Sequence, residues 1–349
     1  MSTYNRFGTP RAYVDLISYN LAHGWSASSN ISMLQDDGST AVTFDSGQKE
    51  DLFDLRPSNF VTIDADNKAF YIQYDTEFTA VANAESSFLA ILGHNFFTAD
   101  AVFKVEIDND ASMGSATTVS TTGSHTKVIN ATADATAGYI DPPNNGWTLI
   151  TWSTQTSDNR YVRITIEDDS GAGSDFNADL KIGAIMYGEI VDWSHSADLG
   201  ITTTIDYDGT TLQQSVGGST YANSTHFGQP TWSATIPWNL NLFDSPNDSY
   251  NRRYGRINHS MKFSYLADTD VFAPNQHGVG ASDWFDSDNL HASFYQRILG
   301  QHLPFLFTID GTSTTEGDYG LFRLANSGFS STQVAHRVWD VALDITETW

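Results

Sequence analysis

Four groups of residues carry chemistry-capable side chains: one histidine, several acidic pairs, a set of loop aromatics and one basic cluster. His94 stands in Gly93-His94-Asn95 at the end of an apolar run, where an imidazole can act as a base or a metal ligand. The structural alternative is preferred: its ring nitrogens bond loop backbone, and Asn95 supplies a turn conformation. Acidic pairs recur at Asp64/Asp66, Asp108/Asp110, Asp168/Asp169, Asp268/Asp270 and Asp286/Asp288. Two carboxylates about 5–10 Å apart can hydrolyse a glycoside, and alternating Asp in a loop can hold calcium through oxygen ligands. No stretch follows Asp-x-[Asp/Asn]-x-[Asp/Asn]-Gly with a closing Glu. Asp is also a common turn residue, so solvated turns are the expected role of most pairs.

Trp147, Trp152, Tyr139 and Asn144 lie with Asn145 in a loop-rich stretch. Aromatic faces stack on sugar rings and amides fix hydroxyls, so this group is the candidate carbohydrate site. The competing role for Trp147 and Trp152 is core or subunit contact, because large aromatics are mostly buried. Arg252, Arg253 and Arg256 form the one dense basic cluster. The planar guanidinium fork suits pairing with an acidic neighbouring subunit; a local pairing with Asp244 or Asp248 is the alternative. Nucleophilic and phosphate chemistry find no motif: Gly-x-Ser-x-Gly, His-Glu-x-x-His and the Gly-x-x-x-x-Gly-Lys-[Ser/Thr] loop are absent. Gly217-Gly218-Ser219 reads as a turn. The expectation is a protein without enzymatic activity.

Composition narrows the class further. The chain has 349 residues, 17 Lys plus Arg against 42 Asp plus Glu, and a formal charge of −25. Such charge opposes nucleic acid, whose affinity comes largely from cationic contacts to phosphate, and anionic membrane surfaces. With no cysteine, disulfide frameworks, zinc–thiolate sites and cysteine nucleophiles are excluded. Aromatic residues at 13% argue for a folded chain. The first residues lack the apolar stretch of a signal peptide, and no apolar run approaches the roughly 20 residues of a membrane helix. Synthesis in a cytoplasm is expected, with exit by lysis or inside a particle.

The elements that must position these groups are mainly strands. Phe103, Val105 and Ile107 alternate with Lys104, Glu106 and Asp108. Val162, Ile164 and Ile166 form a second alternating face, and Trp339, Val341, Leu343 and Ile345 a third. One apolar face per strand is the mark of a half-buried antiparallel sheet. Further strands are predicted at 59–64, 69–75, 87–92, 181–188, 201–206, 231–237, 261–266 and 304–309. One short helix is predicted near 288–299, with Leu290, Phe294 and Ile298 at spacing four, caps at 287–289 and a stop at Gly300. Residues 11–22 suit either a strand or a short helix. The turn-rich stretch 190–198 marks a boundary. The expected class is all-β: an N-terminal segment over 1–45, a β-sandwich over 46–190, which the resemblance given next implies, and a second β-rich domain over 191–349. The first 25 residues either cross to a neighbouring copy or pair with the second domain.

The order of motifs in 46–190 resembles the galactose-binding-like (discoidin-type) jelly roll of bacteriophage virion proteins. It is carried by Ser87-Phe88-Leu89-Ala90-Ile91-Leu92-Gly93-His94-Asn95, the strand Arg160-Tyr161-Val162-Arg163-Ile164, and a last strand from Lys181 to Gly188. Pro10-Arg11-Ala12-Tyr13-Val14-Asp15-Leu16 resembles the opening of tail-associated virion proteins. Pro304-Phe305-Leu306-Phe307 and Val338 to Glu347 resemble their closing module. The resemblance implies a structural protein of the tail or baseplate, of distal-tail type, that binds copies of itself in a ring and adjacent virion proteins. Head decoration, fibre anchoring or capture of a host surface glycan by the jelly roll are the alternatives. Such jelly rolls often hold a structural calcium, which would fall to Asp108 and Asp110; no other cofactor is expected. The absence of cysteine suits assembly in a reducing cytoplasm, and the implied location is the virion.

Overall fold

The computed structural model describes residues 7–57, 59–77, 87–120, 125–134, 138–153, 160–206, 210–224, 256–272 and 289–348. Arg252, Arg253, the Asp286/Asp288 pair and the predicted strand 231–237 lie outside them. The fold is all-β, with short helical turns between strands.

The alternating strands pair as their patterns require. Tyr161–Asp168 lies between Ala101–Asp108 and Phe70–Asp75, all antiparallel, with Ile164 opposite both Val105 and Ile72. Thr132–Ala133, Tyr139–Asp141 and Ile31–Gln35 extend this sheet. A second sheet contributes Ala184–Asp192, Ser87–His94, Gly146–Trp152 and His125–Ile129. The two sheets share one apolar core, where Leu89, Ile91, Ile150, Ile185 and Tyr187 join Phe70, Ile72, Phe103, Val105 and Ile164. The other face of Ser87–His94 is also covered: Phe88, Ala90 and Leu92 pack with Trp147, Leu306, Tyr319 and Leu321. Burial on both faces explains why this strand is a continuous apolar run rather than an alternating one.

The N-terminal residues do not form a separate lead-in. Residues 11–22 are both of the structures their pattern allowed, a strand Arg11–Asp15 followed by a helix Leu16–Ala22. The switch is Asp15, whose carboxylate accepts the Ser18 N–H at 2.8 Å and the Tyr187 N–H at 2.9 Å. Ile31–Gln35 is already an edge strand of the sandwich. Strand Arg11–Asp15 pairs with Ala184–Asp192 on one side and with Phe305–Thr308 on the other. Among the described residues the N-terminal strand thus pairs with both halves, and Ile17 joins the first core.

Through that strand the larger sheet continues into the second half: eleven strands among the described residues, including Tyr319–Leu324, Val338–Glu347, Arg256–Ala267 and Thr202–Asp206. Ala12, Val14, Phe263, Phe305, Phe307, Val341, Leu343 and Ile345 form the second core, capped by Leu290, Phe294 and Ile298. Those last three are the predicted spacing-four set. They lie on and just beyond a wide π-helical turn, Leu290–Gln296, capped by Asn289 accepting the Ala292 N–H. Ala27–Asn30, Phe96–Ala99 and Asp268–Val271 are also helical and were not expected. All three run four residues, too short to stamp a period on the sequence.

The last sandwich strand does not end at Gly188. It runs on to Asp192, because Gly188 lets the strand Arg11–Asp15 approach; a Cβ there would sit 1.9 Å from the Val14 carbonyl oxygen. The extension carries Glu189, which is 1% exposed and ion-paired with Arg297, 3% exposed, just past the π-helical turn. Removing one partner strands a buried charge, which typically costs about 3–5 kcal/mol, whereas apolar replacement of both is far milder. We therefore expect Glu189→Ala and Arg297→Ala each to lower urea stability by that order. Glu189→Leu with Arg297→Met should recover most of it, and a double-mutant cycle of urea melts checks this.

Candidate functional site

His94 is fully buried. Its backbone enters from Gly93, which has φ +69°, and a Cβ at Gly93 would lie 2.4 Å from the Pro57 carbonyl oxygen. His94 Nε2 lies 2.9 Å from Thr148 Oγ1, and that hydroxyl donates to the Asn130 carbonyl at 3.1 Å. With the hydroxyl proton so committed, Nε2 is the donor to Thr148, and Nδ1 accepts the Phe96 N–H at 3.4 Å. Burial pushes the imidazole pKa down to about 3. The histidine is neutral and holds its turn, as the structural reading of Gly-His-Asn expected.

The carbohydrate group is not assembled as a binding face. Trp147 and Trp152 are buried, one against Tyr319 and the other stacked on Tyr187. Neither ring offers a face to a sugar, so that assignment is corrected: Gly146–Trp152 is a doubly covered strand, not a loop. Asn144 exchanges hydrogen bonds with Asn130, which also donates to the Trp147 carbonyl at 2.7 Å. Tyr139 is half-buried, its hydroxyl donates to Glu167 at 3.0 Å, and Lys104 lies over its ring. These polar groups serve neighbouring strands.

Asp108 and Asp110 lie in the turn after strand Ala101–Asp108, beside a cleft of about 480 Å³ lined by Ile107, Asn109, Gly114, Ser115 and Thr117. The loop closes on its own amides. Asp108 accepts the N–H groups of Asp110 at 3.2 Å and Ser115 at 3.0 Å, and Asp110 accepts that of Ser112 at 2.8 Å. The Ser112 contacts hold the Asp110 pKa below its ordinary value. Two carboxylates would leave most of the roughly six to eight oxygens calcium takes to carbonyls and water. Among the described residues, no three His, Asp or Glu side chains form a metal-holding group.

The other pairs behave as turn and cap residues. Asp64 accepts the Asp66 N–H, and Asp168 the Ser170 N–H. Asp268 accepts from Trp339 Nε1 and Arg337 Nε, and Asp270 accepts the Ala267 N–H. Arg256, the described member of the basic cluster, opens strand Arg256–Ala267 opposite Asp206. The groups with the strongest structural roles were not singled out in the sequence. Lys127 Nζ donates to the carbonyls of Gly311 and Ser313 at 2.6 and 2.8 Å and to the Tyr319 hydroxyl, and burial pushes its pKa down to about 8. Burial pushes the Asp15 pKa up to about 6. Each is a lone residue in sequence, and only the fold supplies its partners.

No protein-family model matches the chain, and no curated protein matches it.

Two measurements follow. His94 is depressed in the folded state, so its contribution is present above its ordinary pKa of 6.5 and is lost as pH falls toward 3. Asp15 is raised, so its contribution is present below 3.8 and is lost as pH rises through about 6. Melting curves from pH 3 to 8 should show a flatter acid limb for His94→Gln and a flatter limb between about pH 4 and 6 for Asp15→Asn. Separately, Asp108→Ala should cost about 1–3 kcal/mol in EDTA, because two amides lose their acceptor.

Proposed function

We propose that this chain is a structural subunit of a bacteriophage particle, placed in the tail or baseplate, whose work is assembly rather than catalysis. The observation that carries the reading is a division of labour in the fold. His94, the described Asp pairs and the loop amides are spent on internal hydrogen bonds. Exposed apolar side chains, Ile205, Leu212 and Tyr221, instead stand on strands Thr202–Asp206, Thr210–Gln214 and Thr220–Ser224. Two cores sharing one sheet make a stiff body suited to a load-bearing subunit. The resemblance of 46–190 to phage virion jelly rolls points the same way. Capture of a host glycan loses its two principal residues, since Trp147 and Trp152 are buried.

The test uses particles from a lysate that carries this gene. An antibody raised against the purified chain should decorate one end of the tail in negative-stain micrographs, at a fixed position. Purified, infectious particles that lack the chain by immunoblot, while the lysate contains it, would overturn the proposal.

A further inference from the structure

We propose that residues 199–206 and 210–224 form the surface, here called the arm, by which a second copy of this chain docks, an inference that rests on the assembly reading and names its partner.

The apolar surface is unevenly placed. Nine large hydrophobic residues are exposed among the described residues, and five of them fall here: Leu199, Ile205, Leu212, Val216 and Tyr221. Leu212 is 68% exposed and Tyr221 62%. They stand on opposite faces of one ribbon, since Leu212 pairs with Ala222 and Gln213 with Tyr221. Thr210–Gln214 and Thr220–Ser224 form a two-stranded sheet by themselves. A hairpin with neither face covered is marginal in water, so both faces are available for burial.

The neighbouring strand has the same character. Thr202–Asp206 is the edge of the large sheet, paired on one side with Arg256–Ala267. Its sequence Thr-Thr-Thr-Ile-Asp is β-branched and holds none of the Lys or Pro residues that usually blunt an exposed edge.

Charge identifies the occupant. The chain carries −25, so two copies repel wherever their ordinary surfaces meet. From Gly209 to Phe243 the sequence contains no Asp, Glu, Lys or Arg. A cationic partner would be drawn to the acidic faces elsewhere. A copy of the same acidic chain is the partner that must avoid those faces, and the uncharged hairpin 210–224 is where it can approach.

The test is sedimentation over a concentration series for the full chain, Leu212→Asp with Tyr221→Asp, and the control Val334→Asp, which alters an exposed apolar residue outside the arm. Circular dichroism checks that each is folded. Wild type should self-associate, more tightly as salt screens the net charge. The arm variant should weaken association at least tenfold, and the control should match wild type. Because the chain has no cysteine, single substitutions add a second readout: Leu212→Cys should give an oxidised dimer and Val334→Cys should not. Equal association of wild type and arm variant, with no Leu212→Cys dimer, would overturn the arm and leave the assembly reading standing. A wild-type monomer at every concentration and salt would overturn the second copy as occupant, leaving unlike virion partners. Failure of the assembly reading itself would show only in the particle immunoblot.

Discussion

A five-residue strand, Arg11–Asp15, fills the gap between Ala184–Asp192 and Phe305–Thr308, and the rest of the molecule is arranged around that insertion. Without it there would be two sheets with bare inner edges. With it, Ala12 and Val14 enter the second core while Tyr13, between them, enters the cluster on the opposite face. Gly188 is the space that makes this approach feasible. Arg11 closes the far end with two hydrogen bonds to Asp192, at 2.6 and 2.8 Å. Asp15 closes the near end by ending the strand and starting a helix in one residue.

Two polar contacts then brace the joint. Glu189, on the same stretch of strand, meets Arg297 from beyond the π-helical turn, where desolvation makes either group expensive alone. Lys127 reaches from the sandwich to the carbonyls of residues 311 and 313. Burial at the seam depresses its pKa, an effect that the nearby carboxylates of Asp310 and Asp192 oppose. In a chain with so few cations, two of them are committed to joining the halves. Several acids serve only their own turns by contrast, among them Asp37, Asp64, Asp108 and Asp168.

Much of the fold was legible where strands are covered on one face. Phe103/Val105/Ile107, Val162/Ile164/Ile166 and Val341/Leu343/Ile345 alternate because solvent lies on their other side, and each lands in a core. Strand Ile31–Gln35 and the covered strand Gly146–Trp152 were harder to place. The first is short and mixed in character, and the second is apolar on both faces, so neither shows a clean period. Site reading fared differently. His94 could be weighed correctly from its setting, because Gly before and Asn after are turn residues. Trp147 and Trp152 could not, because the same aromatic serves a sugar or a core and only burial separates them. Glu189 and Arg297 lie 108 positions apart and gave no local sign of each other.

The inserted strand also sets an order of events for the growing chain. Residues 11–15 leave the ribosome well before their hydrogen-bonding partners at 188–192 and 306–308. The sandwich core draws on residues up to 187, so it can condense while its Ala184–Asp192 edge is still open. Closure waits for Phe305–Thr308. Long loop closures of this kind slow folding and lengthen the time an unpaired edge is exposed. The inserted strand is thus sealed long after its own synthesis, once residues 305–308 have followed it.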